Sequence, residues 1–255
     1  MKQRYLSTAA TWLDAIKKNV LIGLCIISGI NAQARLHVGT KYLKLDDKPV
    51  GYVELWNSGS QTMYIAIDAY RYTVDDQLKS KQFRSRNPKE LGLLYTPSKV
   101  VIKPGKKKRL RVATFDKNLG NQHAYYRLTY NVLAKPHDEI AKGENALQGS
   151  IRIGLLHETL VDVGKSALNY KTTATYNSAE KSVQVLNKGN AIITIGPFRQ
   201  CKSNGQCQIN SLFTSLVPGQ AFTYRLNQDQ PQNKLVYDVG NYFGTVQRQG
   251  QLKIK

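Results

Sequence analysis

The chain has 255 residues, 41% hydrophobic and 21% charged, with a formal net charge of +20. That composition excludes a disordered or collagen-like chain and is enough for one or two packed domains. The charge excess points to acidic, anionic-membrane or nucleic-acid partners, but Lys and Arg are spread along the chain without the interleaved aromatics of a nucleic-acid binder, so nucleic acid is not expected.

Residues 1–34 read as an export signal. Lys2, Arg4, Lys17 and Lys18 supply positive charge, Val20 to Ile30 is an apolar run, and Ala32-Gln33-Ala34 offers a small-x-small cleavage site. The run is short of the roughly 20 residues that a membrane span needs, so no stable membrane insertion is expected after cleavage, a retained anchor being the other reading. Cys25 follows the bulky Leu24, which argues against a lipoprotein.

From Arg35 on, strands alternate with turns. Tyr52 to Trp56, Asn57-Ser58-Gly59-Ser60 and Met63 to Tyr72 lead into Leu93 to Val112, where Val100, Val101 and Ile102 form a β-branched run. Pro104-Gly105 breaks that run, and Leu110 and Val112 then alternate with Arg109 and Arg111, the period of a half-buried strand. The pattern predicts a basic hairpin: a strand, a type II turn over Lys103 to Lys106 and a second strand, with the dense cations of Lys106 to Arg111 on a solvated face. Tyr125 to Leu133 and Ile151 to Leu156 complete a first sandwich that ends near His157.

A second series starts near Ala167, with strands expected over Thr172 to Tyr176, Ser182 to Leu186, Ala191 to Ile195, Ala221 to Leu226, and around Phe243 to Val246 and Gln251 to Ile254. Asn187-Lys188-Gly189-Asn190 and Pro218-Gly219 supply turns, and the repeated turn grammar favours two sandwiches over one. Once the signal is removed, Cys201 and Cys207 form an even pair about Asn204-Gly205, which predicts a disulfide across a tight hairpin. Free thiols or metal ligands are the weaker readings, since no His or third Cys lies nearby.

Tests for chemistry fail. Val163-Gly164-Lys165-Ser166 resembles the end of a phosphate-binding loop, but Thr159 stands where the leading glycine belongs, so a linker turn is the better reading. His37, His123, His137 and His157 lie far apart with no metal-ligand spacing, and there is no G-x-S-x-G elbow. A Ser, His and Asp that converge in space would escape such a search. No cofactor and no enzymatic activity are expected; the work is binding.

The pattern T-P-x-x-x-x-I-x-P-G-x-x-x-x-L-R-V over Thr96 to Val112, YYRLTYNVL, SIRIGLL and GNAxxxIGP ahead of the cysteine pair together resemble the periplasmic chaperones of the chaperone-usher pathway, the PapD-like family, in its divergent alternate branch. The resemblance implies an all-β chain of two immunoglobulin-like β-sandwich domains in an L-shaped arrangement, residues 35–158 and 165–255 after a 1–34 signal peptide. It implies a periplasmic protein that binds pilus subunits by donor-strand complementation and passes them to an outer-membrane usher. By position, the subunit's C-terminal carboxylate would fall to Arg152 and Lys41, with Lys44 or Arg35 as substitutes for the latter. The donor strand would be Leu147, Gly149 and Ile151, where only Leu147 and Ile151 are bulky, a departure from the family pattern. The rival is a secreted β-sandwich adhesin or pilus structural protein, which would lack a seventh strand of its own; a hydrolase with a spatial triad is a third possibility.

Overall fold

The structure is a computed structural model, and it describes residues 35–46, 48–115, 119, 121–133, 157–227 and 234–254. The expected signal segment and the candidate residues Leu147, Gly149, Ile151 and Arg152 lie outside the described residues.

Alternation builds the first sandwich. In β3 (Val50–Asn57), Val53, Leu55 and Asn57 point inward while Tyr52, Glu54 and Trp56 face out, and in β8 (Lys107–Thr114) Leu110 and Val112 point inward between Arg109 and Arg111. These strands pair antiparallel, with β1 (Leu36–Val38) on the free side of β3 and β6 (Leu93–Thr96) on that of β8. The facing sheet runs β2 (Tyr42–Leu45), β10 (His157–Val163), β9 (Ala124–Leu133), β4 (Met63–Val74) and β5 (Ser80–Phe83), and β7 (Lys99–Ile102) also pairs with β4. Between the sheets Leu45, Leu55, Met63, Ile65, Ile102, Leu110, Tyr126 and Tyr130 are buried. A one-turn helix, α1 (Pro88–Leu91), is capped by Asn87, whose side chain accepts from Lys89 N.

The second sandwich packs β11 (Thr172–Asn177), β12 (Ser182–Asn187) and β16 (Ala221–Arg225) against β14 (Cys207–Asn210), β13 (Ile193–Cys201), β17 (Lys234–Asn241) and β18 (Val246–Lys253), with β15 (Thr214–Leu216) pairing along β13. Its core centres on Phe198, whose ring stacks on Tyr224 at 4.4 Å between centroids. Cys201 and Cys207 face each other across β13 and β14 and are disulfide-bonded.

One device recurs in both sandwiches. Asn57 is fully buried; its Nδ2 donates to Gln61 O and Ile102 O, its Oδ1 accepts from Gly59 N, and its carbonyl accepts from Gly105 N. Asn187, also fully buried, does the same with Ala191 O, Leu216 O, Gly189 N and Gly219 N. Each asparagine thus ties its own N-x-G turn to a Pro-Gly turn from a distant strand. Lys106 N donates to Lys103 O and Gly105 has φ +68°, the geometry of the expected type II turn.

Three expectations need correction. The Lys-rich element is not a hairpin, because β7 pairs with β4 in one sheet while β8 pairs with β3 and β6 in the other, so the Pro104-Gly105 turn carries the chain across the sandwich. The boundary expected at residue 158 falls inside β10, which remains in the first sandwich through Val163 and pairs with β9 and β2. Phe243 is not in a strand: the Asn241 carboxamide accepts from Phe243 N and Thr245 N and closes the turn between β17 and β18.

Candidate functional site

The first strand changes sheets. β1 pairs with β3, the chain turns at Gly39 to Lys41, and β2 then runs parallel to β10 from Leu160 opposite Tyr42 to Val163 opposite Leu45. At the switch, Thr159 Oγ1 donates to Thr40 O and Leu160 N donates to Lys41 O. On its other side β10 pairs with β9 only as far as His157 opposite Tyr130. Beyond Tyr130, Asn131 to Leu133 pair with Ala66 to Tyr64 of β4 on one side, and no described strand pairs with them on the other. Val132 and Leu133 are 44% and 47% exposed there.

The exposed Lys41 sits at the turn between β1 and β2, and its charge reaches the half-buried His157. Burial, then the neighbouring charges of His37 and Lys41, hold the His157 pKa below the ordinary histidine value. The location is therefore electropositive, and a carboxylate placed there would relieve the repulsion. Of the substitutes for Lys41, Lys44 lies opposite Asp162 in the β2–β10 register and 4.0 Å from Asp46, at the domain junction, while Arg35 offers its carbonyl to Ser58 N at the start of β1. His157 itself carried no signal in its spacing or neighbours; it emerges only because β10 pairs as it does.

At the opposite end of β10 the domains meet. The outward face of the β2–β10–β9 sheet supplies Tyr42, Leu160 and Tyr125, which pack with Ile192, Val217 and Tyr242 of the second sandwich. A cavity of about 120 Å³ remains between them, lined by Tyr42, Tyr125, Tyr170, Ile192, Tyr242 and Phe243. Arg127 pairs with Glu158 and reaches the Tyr242 hydroxyl at 3.5 Å. Asn190 clasps the linker: its Nδ2 lies 2.9 Å from Asn121 O and 3.1 Å from both Ser166 Oγ and Ala167 O, and its carbonyl accepts from the Tyr125 hydroxyl.

The same junction assembles a serine, a histidine and an aspartate. His123 Nδ1 is 2.5 Å from Asp162 Oδ1, and Nε2 is 3.1 Å from both the carbonyl oxygen and Oγ of Ser166. A carboxylate faces Nδ1 and a carbonyl faces Nε2, and both can only accept, so these surroundings favour the doubly protonated ring. The Asp162 hydrogen bond raises the His123 pKa against the opposing effect of burial, in keeping with that state. In that form the ring has no lone pair for the proton of Ser166, whose hydroxyl donates to Asn121 O at 3.2 Å. The arrangement is a clamp on the domain linker.

No protein-family model matches the chain. A curated relative from Escherichia coli, named as a CFA/I fimbrial subunit, is 20% identical over 229 residues, spanning 88% of this chain and 92% of that protein. Among solved structures, the class 5 fimbriae chaperone CfaA is similar with a TM-score of 0.61 at 16% identity, covering 87% of this chain and 99% of that one. The Acinetobacter baumannii CsuC–CsuE chaperone–tip subunit pre-assembly complex matches with a TM-score of 0.56 at 12% identity, over 88% of this chain and 98% of that one. The E. coli chaperone DraB matches at 0.54 and 11% identity, over 87% and 99%. The chain has the all-β, two-sandwich fold of these fimbrial chaperones.

Proposed function

We propose that the protein is a periplasmic chaperone that binds pilus subunits by strand addition and delivers them to an outer-membrane usher, without any chemical step of its own. The observation that carries the reading is the sheet change of the first strand, which brings the basic Lys41 to His157 at the start of β10, in a fold shared with chaperones of fimbriae. The segment entering β10 carries Leu147, Gly149 and Ile151 as donor residues, with Arg152 behind them to share the subunit's C-terminal carboxylate with Lys41. A guanidinium and an ammonium suit that task, since a partly desolvated ion pair is far stronger than a surface one.

A relative named as a fimbrial subunit favours the rival reading, a structural pilus protein. Against it stands β10, which this chain inserts between β9 and β2 in its own first sandwich, where a pilus subunit would need a strand from elsewhere. The test is co-purification of the tagged protein from periplasm, with identification of the subunit that stays bound. A one-to-one complex that is lost when the subunit's C-terminus is amidated or truncated supports the chaperone; incorporation of the protein into the assembled fibre supports the rival and removes this reading.

A further inference from the structure

The outer face of the β1–β3–β8–β6 sheet lies outside the site just described and has a composition of its own. Adjacent strands place Trp56 opposite Lys107, Glu54 opposite Arg109 and Tyr52 opposite Arg111. Lys107 Nζ lies 6.0 Å from the Trp56 ring and Arg109 Cζ 5.3 Å from the Tyr52 ring, while His37 of β1 stacks on Trp56 at 5.1 Å. Along the chain these cations form one block and the aromatics another; strand pairing interleaves them. Glu54 is the one acidic side chain in these pairs, and it takes Lys107 at 2.8 Å, leaving Arg109 and Arg111 with no carboxylate partner among the described residues. Lys103, Lys106 and Lys108 extend the positive charge at the end of the sandwich that carries Trp56, whereas the second domain joins the end that carries Val50 and Thr114.

The face is flat and exposed. Tyr52 and Trp56 are 51% and 39% accessible. Lys107 to Arg111 spans about 14 Å of extended strand, so three cations stand in a row beside two amphipathic rings. A single small anion would need a concave, convergent site, and an acidic peptide would need a groove or an open edge; β3 and β8 are interior strands and offer neither. A planar anionic surface asks only for cations and for Trp and Tyr rings that rest at the boundary between headgroups and acyl chains.

The geometry points to this face as a peripheral docking surface for a membrane rich in anionic phospholipid headgroups. It would hold the first sandwich by its β3–β8 face and leave Lys41, His157 and the domain junction free.

The test is sedimentation of the purified protein with vesicles of equal parts phosphatidylglycerol and phosphatidylcholine, against vesicles of phosphatidylcholine alone. Binding should need the anionic lipid and weaken as salt rises from about 50 to about 300 mM, because surface charges are screened. Arg109→Glu/Arg111→Glu should lower partitioning by at least about twentyfold, at roughly fivefold for each cation removed. Arg225→Glu/Lys253→Glu on the second sandwich changes the net charge equally and should leave binding within about twofold. Trp56 fluorescence, taken as wild type minus Trp56→Phe, should shift to the blue on binding. Equal loss in both charge-reversed variants, or equal binding to neutral vesicles, overturns the proposal. So does displacement by about 10 mM inorganic phosphate, which would make the face a phosphate site, or binding to polyglutamate but not to vesicles, which would make it a protein-docking face.

Discussion

His123 Nδ1 lies 2.5 Å from Asp162 Oδ1, with both side chains fully inaccessible to solvent at the point where the first sandwich hands over to the linker. Tyr42 and Asp162 hydrogen-bond at 2.5 Å, Tyr125 stacks on the His123 ring, and the charge of Lys44 acts against its protonation. Since the folded-state pKa of His123 is raised, its contribution to stability is fully present below the ordinary histidine pKa of about 6.5 and is lost as pH rises through the folded value. His123→Gln should therefore destabilise the protein most in acid, by about 3 kcal/mol, the scale for breaking a buried pair. Urea titrations from about pH 5.5 to 9 should show the gap between wild type and variant narrowing as pH rises; a constant gap would mean that the ring acts by packing alone.

Gly164 makes that clamp possible by its lack of a side chain. A Cβ on Gly164 would meet the His123 ring at 2.7 Å, against a ring held by Asp162 on one side and Ser166 on the other. Gly164→Ala should cost about 1–3 kcal/mol by overpacking and should flatten the pH dependence just described. At Gly105 a Cβ would meet nothing within 4 Å, but φ is +68°, so Gly105→Ala should cost about 1 kcal/mol through backbone strain with the pH profile intact.

The paired asparagines give a third expectation. Removing the Asn187 side chain leaves Ala191 O, Leu216 O and Gly189 N without their partners in a buried site. Asn187→Ala should lower stability by about 2–4 kcal/mol, and Asn57→Ala by a similar amount. Thermal unfolding should show the loss in the sandwich that carries the substitution, and a loss under about 1 kcal/mol in both would mean that water replaces the carboxamide.

These particulars also show how far the chain could be read in advance. The Pro104-Gly105 turn, the Cys201–Cys207 bridge and strands β3, β4, β9 and β12 announce themselves through alternation and turn residues, which are local. β10 does not. In His157–Val163, Glu158, Thr159 and Asp162 break the apolar pattern, and each is satisfied only after folding: Glu158 by Arg127, Thr159 by Thr40 and Tyr130, Asp162 by His123 and Tyr42. A strand whose polar residues are satisfied by distant partners looks like a loop from its sequence. For the same reason Lys41 could be suggested by position while His157 beside it could not, and the interleaving of Trp56 and Tyr52 with Lys107 to Arg111 exists only across strands.

The last expectation concerns the proposed carboxylate site. With no anion bound, burial and the charges of His37 and Lys41 hold the His157 pKa below its ordinary value, so the ring is neutral near pH 7. A carboxylate seated between Lys41 and His157 favours the charged ring, raises that pKa, and makes binding take up a proton. Affinity for a peptide ending in a free carboxylate should therefore rise as pH falls through the bound-state pKa of His157 and level off below the free-state value. An amidated peptide should show neither the rise nor the extra affinity. His157→Gln should abolish the pH slope while leaving binding at about pH 8 near wild type, whereas Lys41→Ala should weaken binding at every pH by roughly 2–5 kcal/mol, the range for truncating one member of a desolvated charge pair. Calorimetry in buffers of different ionisation enthalpy reads the proton uptake directly. If free and amidated peptides bind alike, and Lys41→Ala binds as well as wild type, the basic group that receives the carboxylate is not beside β10.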